Sequence, residues 1–407
     1  AVRITSVDNL LEFGDVVLVA SSLLLLAIIV RVVAARIGLP SAALLLVVAA
    51  VATDLSGRLA GLLSFEDVQQ IATLALIAIL FEGGMSIGVR RFRAAALPVA
   101  VLGVLGTFGT AALVAVCAHF LLGLDWTVAG LLGAALAPTD PAVTFSVLAG
   151  KEIEGKTGTI LEGESGFNDP VGIALMIGLV EFATTDGAGL DGVLWEFLRE
   201  MSVGLGVGLV GGLALAWLVP RFPLPDRSLY PIATLVSAGV IYGATSAAHG
   251  SGFLAVFVAG IVLGDIRYPR KEEVHHFHSA VADLGELAVF VALGLTVDLA
   301  FIGSEGLWWQ GLVLAALLAF VIRPLVVWPL LQLSSLAPNE RLFVVWCGLK
   351  GAVPILLASL AVTGATAEAA EIYGIVFVVV LFSVVVQGTS VPAVAARLGV
   401  PMRDTRP

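Results

Sequence analysis

The stretch WTVAGLLGAALAPTDPAVTFSVL, residues 126–148, is apolar enough to lie in a bilayer, yet it carries Pro138, Thr139, Asp140 and Pro141 at its centre. A bilayer core of about 30 Å takes about 20 mainly apolar residues in a helix. Pro141 has no N–H to give to the Ala137 carbonyl, so a regular helix cannot run through this point unbroken. Open backbone at membrane depth survives only inside protein or beside a watered cavity. The stretch therefore predicts a discontinuous transmembrane helix, surrounded by others that bury it.

Composition agrees. Of 407 residues, 59% are hydrophobic and 13% are charged, about half the roughly 25% charge of a soluble domain. Mean hydropathy is +1.05. In water such a protein would expose large apolar areas, so a soluble enzyme is excluded. Cys117 and Cys347 both lie in apolar runs, which leaves no disulfide framework and no thiolate metal site. Neither His-Glu-x-x-His nor Gly-x-Ser-x-Gly occurs, so an intramembrane enzyme is not expected, and no cofactor is called for. The net charge of −10 does not point to nucleic acid; in a membrane chain the side on which charges fall matters more than their sum.

Thirteen apolar segments can be delimited, at 15–36, 41–57, 68–86, 95–121, 126–148, 158–183, 195–220, 229–247, 251–265, 279–299, 309–333, 340–362 and 371–395. The ninth is short, and Gly and Pro interrupt the fifth, sixth, twelfth and thirteenth. An odd number puts the termini on opposite sides. Of the Lys and Arg residues, 16 then fall on one side and 3 on the other, with Arg323 and Lys350 left inside spans. The positive-inside rule makes the rich side cytoplasmic. The expectation is a multi-pass protein of the cell (inner) membrane, N-terminus outside and C-terminus inside.

Seven segments after the first break, the twelfth reads Gly348-Leu349-Lys350-Gly351-Ala352-Val353-Pro354. An odd offset inverts the second unit relative to the first, so the thirteen segments read as two inverted six-helix repeats around a linker helix. Paired interruptions at matching positions mark the midplane site of a secondary transporter. Broken helices also expose partial charges of about half a unit at their ends. Asp140 and Lys350, one at each break, are placed to compensate such ends.

The sixth segment carries Glu162-Gly163-Glu164-Ser165-Gly166-Phe167-Asn168-Asp169-Pro170. Helical spacing sets Glu164 with Asn168, and Ser165 with Asp169, on one broad polar face. Carboxylates at membrane depth face a bundle interior or cavity and serve as ion or proton sites. A carboxyl kept from water holds its proton more readily, so a proton and a small cation can compete for it. Asp169 is the expected site of that competition, helped by oxygens of Thr139, Ser165 and Asp140. Glu164 is the expected structural ion-pair partner of Arg323, with Lys350 a competitor for the same acid. Glu82, ending the third segment, reads as a cavity or interface carboxylate, or as a boundary charge reaching water. Asp283 and Glu286, three apart, read as funnel-lining or interfacial charges. His275, His276 and His278 read as a solvated loop cluster ahead of the tenth segment, with pH sensing as the alternative.

At these residues the chain resembles monovalent cation:proton antiporters of the NhaP and sodium/proton exchanger family. The shared pieces are Phe81-Glu82-Gly83-Gly84, Thr139-Asp140-Pro141, Glu164-Ser165 with Asn168-Asp169-Pro170, Arg323-Pro324, and the glycine-rich run from Gly348 to Pro354. The resemblance implies an all-α integral membrane protein of the NhaA-like antiporter fold with two crossed discontinuous helices. It also implies a homodimer that moves a core past a dimer domain. Asp169 would bind the ion, with Thr139, Ser165, Asp140 and the neighbouring Asn168 at the site. Relatives with Asn-Asp at positions 168–169 are usually electroneutral, which implies one proton per cation. Residues 251–260 resemble a potassium/proton subgroup that often carries a cytoplasmic regulatory domain; past Pro407 that domain is either lacking or cut away. Lys350 stands where many relatives have Arg.

The resulting expectation divides the chain into first dimer-domain helices and the start of the core (1–121), core helices five and six (122–183), linker helix seven (184–228), second dimer-domain helices (229–299), core helices eleven to thirteen (300–395), and a cytoplasmic tail (396–407). The expected function is secondary active exchange of Na⁺ or K⁺ for H⁺ by alternating access. A monovalent cation channel on the same scaffold is the alternative. No repeated carbonyl filter segment is visible to support it, and oxygen ligands alone do not separate Na⁺ from K⁺.

Overall fold

The computed structural model describes residues 2–404 except 38, 57–58, 60, 141–143, 145–147, 149–150, 186–188 and 364–368. Arg58, Pro141 and Arg406, which entered the reading of the sequence, lie outside the described residues. The chain folds into α1 (Val2–Ile37), α2 (Ser41–Leu55), α3 (Phe65–Val101), α4 (Thr107–Leu122), α5 (Trp126–Leu136), α6 (Gly155–Thr184), α7 (Leu190–Arg221), α8 (Leu229–Ala247) and α9 (Gly252–Gly264). There follow α10 (Lys271–Leu295), α11 (Leu299–Ser304), α12 (Leu307–Leu317), α13 (Arg323–Leu330), α14 (Pro338–Trp346), α15 (Ala352–Thr363), α16 (Ala369–Phe382) and α17 (Thr389–Leu398).

Among the described residues, eight helical runs are long and apolar enough to cross a membrane. One of them, Phe65–Leu122, is broken at Gly88 (φ 66°) and corresponds to two of the sequence segments. Four shorter apolar helices, Ser41–Leu55, Trp126–Leu136, Gly252–Gly264 and Ala352–Val362, account for the others. Each of the thirteen segments is therefore matched by helix among the described residues, the fifth over its first half. The outer faces of α1 and α7 keep Leu25, Ile29, Trp195, Leu209 and Trp217 exposed, as lipid, itself apolar, permits.

Helix α9 is short and packed on two sides. It is buried almost throughout and lies between α3 and α7. Against α3, Gly260 and Gly264 meet Gly84 and Gly88, each pair four apart. A Cβ at Gly264 would stand 3.0 Å from the Gly88 Cα, and one at Gly84 would stand 2.9 Å from the Ile261 nitrogen. Against α7, Gly204, Gly208 and Gly212 meet Ser251, Ala255 and Ala259 in register. Small residues let backbones approach where water supplies no driving force between helices. Gly88 has a second duty. Its positive φ turns the chain so that Arg90 N–H donates to Asp265 Oδ2 at 2.6 Å.

Several expectations are corrected. Pro170 does not interrupt the sixth segment: α6 is continuous from Gly155 to Thr184. The twelfth segment breaks before Pro354, which sits in the first turn of α15 where its missing N–H costs nothing. The eleventh and thirteenth segments continue through π-turns at Leu318–Ile322 and Ser383–Gly388. The histidines are not a solvated loop. Helix α10 begins at Lys271, and His278 is fully buried, with its Nε2 2.9 Å from Thr234 Oγ1.

One element was not foreseen. Lys151–Ile153 (β1) pairs antiparallel with Met402–Asp404 (β2), and Glu154 N–H donates to the Pro401 carbonyl at 3.0 Å. This pairing fastens the chain beyond α17 to the connection between α5 and α6.

Candidate functional site

The two breaks cross and hold each other through their backbones. Helix α5 ends at Leu136 and the chain runs without helix from Pro138 to Asp140. Helix α14 ends at Trp346 and the chain runs open from Gly348 to Gly351 before α15 starts. Asp140 N–H donates to the Leu349 carbonyl at 2.8 Å, so each orphaned backbone partly satisfies the other. The α5 break also rests on α6, because Gly172 has no side chain: a Cβ there would overlap the Pro138 ring.

Both buried cations sit at C-terminal ends of half-helices, where the backbone dipole is negative. Lys350, 1% exposed, reaches across from its own break to the other. Its Nζ donates to the carbonyls of Ala137 at 2.9 Å and Pro138 at 2.8 Å. Arg323, 4% exposed, donates from Nε to the Val345 carbonyl at 2.9 Å and from Nη2 to that of Val344 at 3.2 Å, at the end of α14. The same guanidinium grips Glu164 with two bonds, Nη1 to Oε1 at 2.9 Å and Nη2 to Oε2 at 3.2 Å. Lys350 is thus not the partner of Glu164. Asp140 stands at the opposite pole: its carboxylate lies where a Gly351 Cβ would be, against the start of α15.

Around Asp169 the side chains form a compact oxygen-rich corner. Ser165 Oγ donates to the Thr139 carbonyl. Asn168 Nδ2 donates to Thr139 Oγ1 at 2.8 Å, and Thr139 N–H donates back to Asn168 Oδ1 at 3.3 Å. Asn168 therefore locks the residue before Asp140 to α6. Asp169 is 6% exposed, and its Oδ1 has no hydrogen-bond partner among the described residues.

A cavity of about 310 Å³ leads to this corner. Asp169, Ser165 and Asp140 line it on one side, and α3 and α10 supply Glu82, Asp283 and Glu286 on the other. Thr139 and Asn168 are absent from the lining, being occupied with each other. Glu82 accepts from Ser86 Oγ at 2.8 Å, and Asp283 pairs with Arg31 of α1 at 2.9 Å. Glu162 also lines the cavity, 3.6 Å from Arg91.

Two participants escaped the sequence reading. Ser383 Oγ accepts from Lys350 N–H at 2.9 Å and donates to Gln387 Oε1 at 2.8 Å. Their signal was a Ser and a Gln four apart inside the apolar run 371–395. Among the described residues, no group of three or more His, Cys, Asp or Glu side chains could hold a metal ion.

Comparison with known proteins bears on this arrangement. The chain is 34% identical over 393 residues to the K(+)/H(+) antiporter NhaP of Alkalimonas amylolytica, covering 93% of this chain and 66% of that protein. It is 32% identical over 387 residues to the K(+)/H(+) antiporter NhaP2 of Shewanella sp. (strain MR-4), covering 94% and 66%. It is 29% identical over 350 residues to the Na(+)/H(+) antiporter ApNhaP of Aphanothece halophytica, covering 81% and 64%. The chain thus spans just under two thirds of the length of these relatives. Its fold matches the sodium proton antiporter MjNhaP1 of Methanocaldococcus jannaschii, with a TM-score of 0.79 at 22% identity, over 93% of this chain and 99% of that one. Residues 22–397 match the model of the sodium/hydrogen exchanger transmembrane family, and the chain belongs to that family.

Proposed function

We propose that this chain exchanges a monovalent cation, Na⁺ or K⁺, for a proton, and that the two compete for Asp169. The observation that carries this reading is the Asp169 carboxylate itself, buried at a cavity's inner end with one oxygen unpartnered among the described residues. A buried carboxylate in that state is costly until a proton or a cation neutralises it. If only the two neutralised forms cross, entry of one ion drives exit of the other. Ser165 and Asp140 add oxygens from the cavity wall, while Asn168 holds Thr139 and thereby orients Asp140. With Asn rather than Asp at 168, one carboxylate of the pair titrates, which supports an electroneutral exchange of one proton per cation. The antiporter names of the relatives support the same reading.

In this proposal the core, 122–183 and 300–395, carries both breaks. It moves against the helices of 229–299 and the early helices, with 184–228 as linker and two chains forming a dimer. The cavity between Asp169 on one side and α3 and α10 on the other supports that division. The end carrying Arg91, Lys156, Arg341 and Arg403 is cytoplasmic, following the positive-inside rule. The exchange needs no covalent chemistry.

The test is proton flux in proteoliposomes driven by Na⁺ or K⁺ gradients, with and without a clamped membrane voltage. Cation-driven, voltage-insensitive flux that Asp169→Asn abolishes is expected. Conductance without proton coupling would instead establish the channel.

A further inference from the structure

The thirteenth segment contains an irregularity with no counterpart in its repeat-mate. In the fourth and eleventh segments, seven apart, π-turns at Leu102–Gly106 and Leu318–Ile322 match one another. The thirteenth has a π-turn at Ser383–Gly388, whereas the sixth is unbroken α-helix. A π-turn is a rare departure from the α-helix and is frequent at functional sites. Here it carries Ser383 and Gln387, both polar and buried, 2% and 4% exposed.

We infer that Ser383 and Gln387 are positioning residues for ion exchange, acting through Lys350. Lys350 N–H has no helix to donate to, because it lies in the break. It donates to Ser383 Oγ, whose own hydrogen is directed to Gln387 Oε1. That direction follows from the partners: a backbone N–H only donates, so the hydroxyl accepts from it and spends its proton on the amide oxygen. The open strand is thereby held from two sides, by Asp140 N–H on the Leu349 carbonyl and by Ser383 on the next N–H. With its backbone fixed, the Lys350 side chain reaches the Ala137 and Pro138 carbonyls, and that contact sets where the following Thr139 and Asp140 stand. The π-turn is therefore the second support of the ion site, and Thr139–Asn168 is the first.

This inference rests on the antiport reading, so its test has one arm that depends on transport and one that does not. In proteoliposomes, Ser383→Ala and Gln387→Leu are expected to raise the apparent cation KM about fivefold or more while kcat stays within about twofold, the pattern of a displaced binding group. Ser383→Thr keeps the hydroxyl and is expected to restore the wild-type KM. A purely structural role would lower the amount of active protein, hence kcat, and leave KM alone; that result overturns the inference. In the second arm, hydrogen exchange in the peptide spanning 347–352 of the full chain is compared between wild type and Gln387→Leu. Faster exchange in the variant is expected, and equal exchange overturns the inference. Should the wild type move no cation at any pH, the antiport reading fails, while the anchoring of Lys350 stands or falls on the exchange measurement.

Discussion

The ammonium of Lys350 lies 2.9 Å from the carbonyl oxygen of Ala137, a residue 213 positions earlier. A cation from one broken segment thus caps the half-helix of the other, and the crossing is stabilised only when both repeats are folded. Lys350→Met keeps most of the apolar stem but leaves the Ala137 and Pro138 carbonyls without their donor. A hydrogen bond to a charged group is worth about 1.5–3 kcal/mol. Thermal unfolding of the detergent-purified protein should reveal a loss of that order, together with a raised cation KM. Wild-type values for both would refute the capping role.

Arg323 and Glu164 lend themselves to an asymmetric prediction. Breaking a buried ion pair by removing one partner costs about 3–5 kcal/mol. Arg323→Met strands the Glu164 charge and uncaps the Val344 and Val345 carbonyls; Glu164→Gln leaves the guanidinium with those carbonyls as partners. The arginine variant should therefore be the less stable of the two. The double variant should recover part of the loss but not all. Equal single effects would mean that the α14 carbonyls contribute nothing.

Competition at one carboxylate has a fixed pH signature. Below the pH at which Asp169 is half protonated in the cation-free state, each unit of acidification should raise the apparent cation KM about tenfold, with little change in the maximal rate. Well above it, KM should level off. Exchange measured at saturating and subsaturating cation from pH 5 to 9 would separate this from a regulatory switch, which changes the maximal rate instead.

The seam between α3 and α9 tolerates no side chain. Gly260→Val would push a branched group against the Gly84 Cα, which a Cβ alone approaches to 3.2 Å. Overpacking of this kind costs about 1–3 kcal/mol. Gly239, which has nothing within 4 Å of its Cβ position, provides the control. Gly239→Ala should leave the melting temperature unchanged or slightly raised. A Gly260→Val protein as stable as that control would show that the two helices have room to separate.

Much of this molecule was legible in the residues because lipid narrows the options. A run such as 371–395 has to be helical, and a Pro-Thr-Asp-Pro cluster inside a span has to be buried by neighbours. Asp140, Glu164, Asp169, Arg323 and Lys350 stood out because charges at that depth need partners. Which partner each takes was harder to read. Lys350 and Arg323 were both candidates for Glu164, and geometry alone assigns the lysine to two carbonyls. Pro170 misled because proline is a weak breaker inside a bundle, where neighbouring helices support the freed carbonyl. His278 misled because it closes a histidine cluster that follows the charged run Arg270-Lys271-Glu272-Glu273, although the helix starts early enough to turn it against Thr234 and Phe81. The β1–β2 pair gave no signal, since three residues have no periodicity to read.

That short pair has a mechanical consequence. Strand β2 follows α17 directly, and its partner β1 lies on the stretch leading from Asp140 into the helix of Asp169. Traction on the chain at residue 404 would be shared between the covalent link back to α17 and the antiparallel hydrogen bonds to β1. A load attached there would therefore act at once on α17 and on the connection that leads into the helix of Asp169.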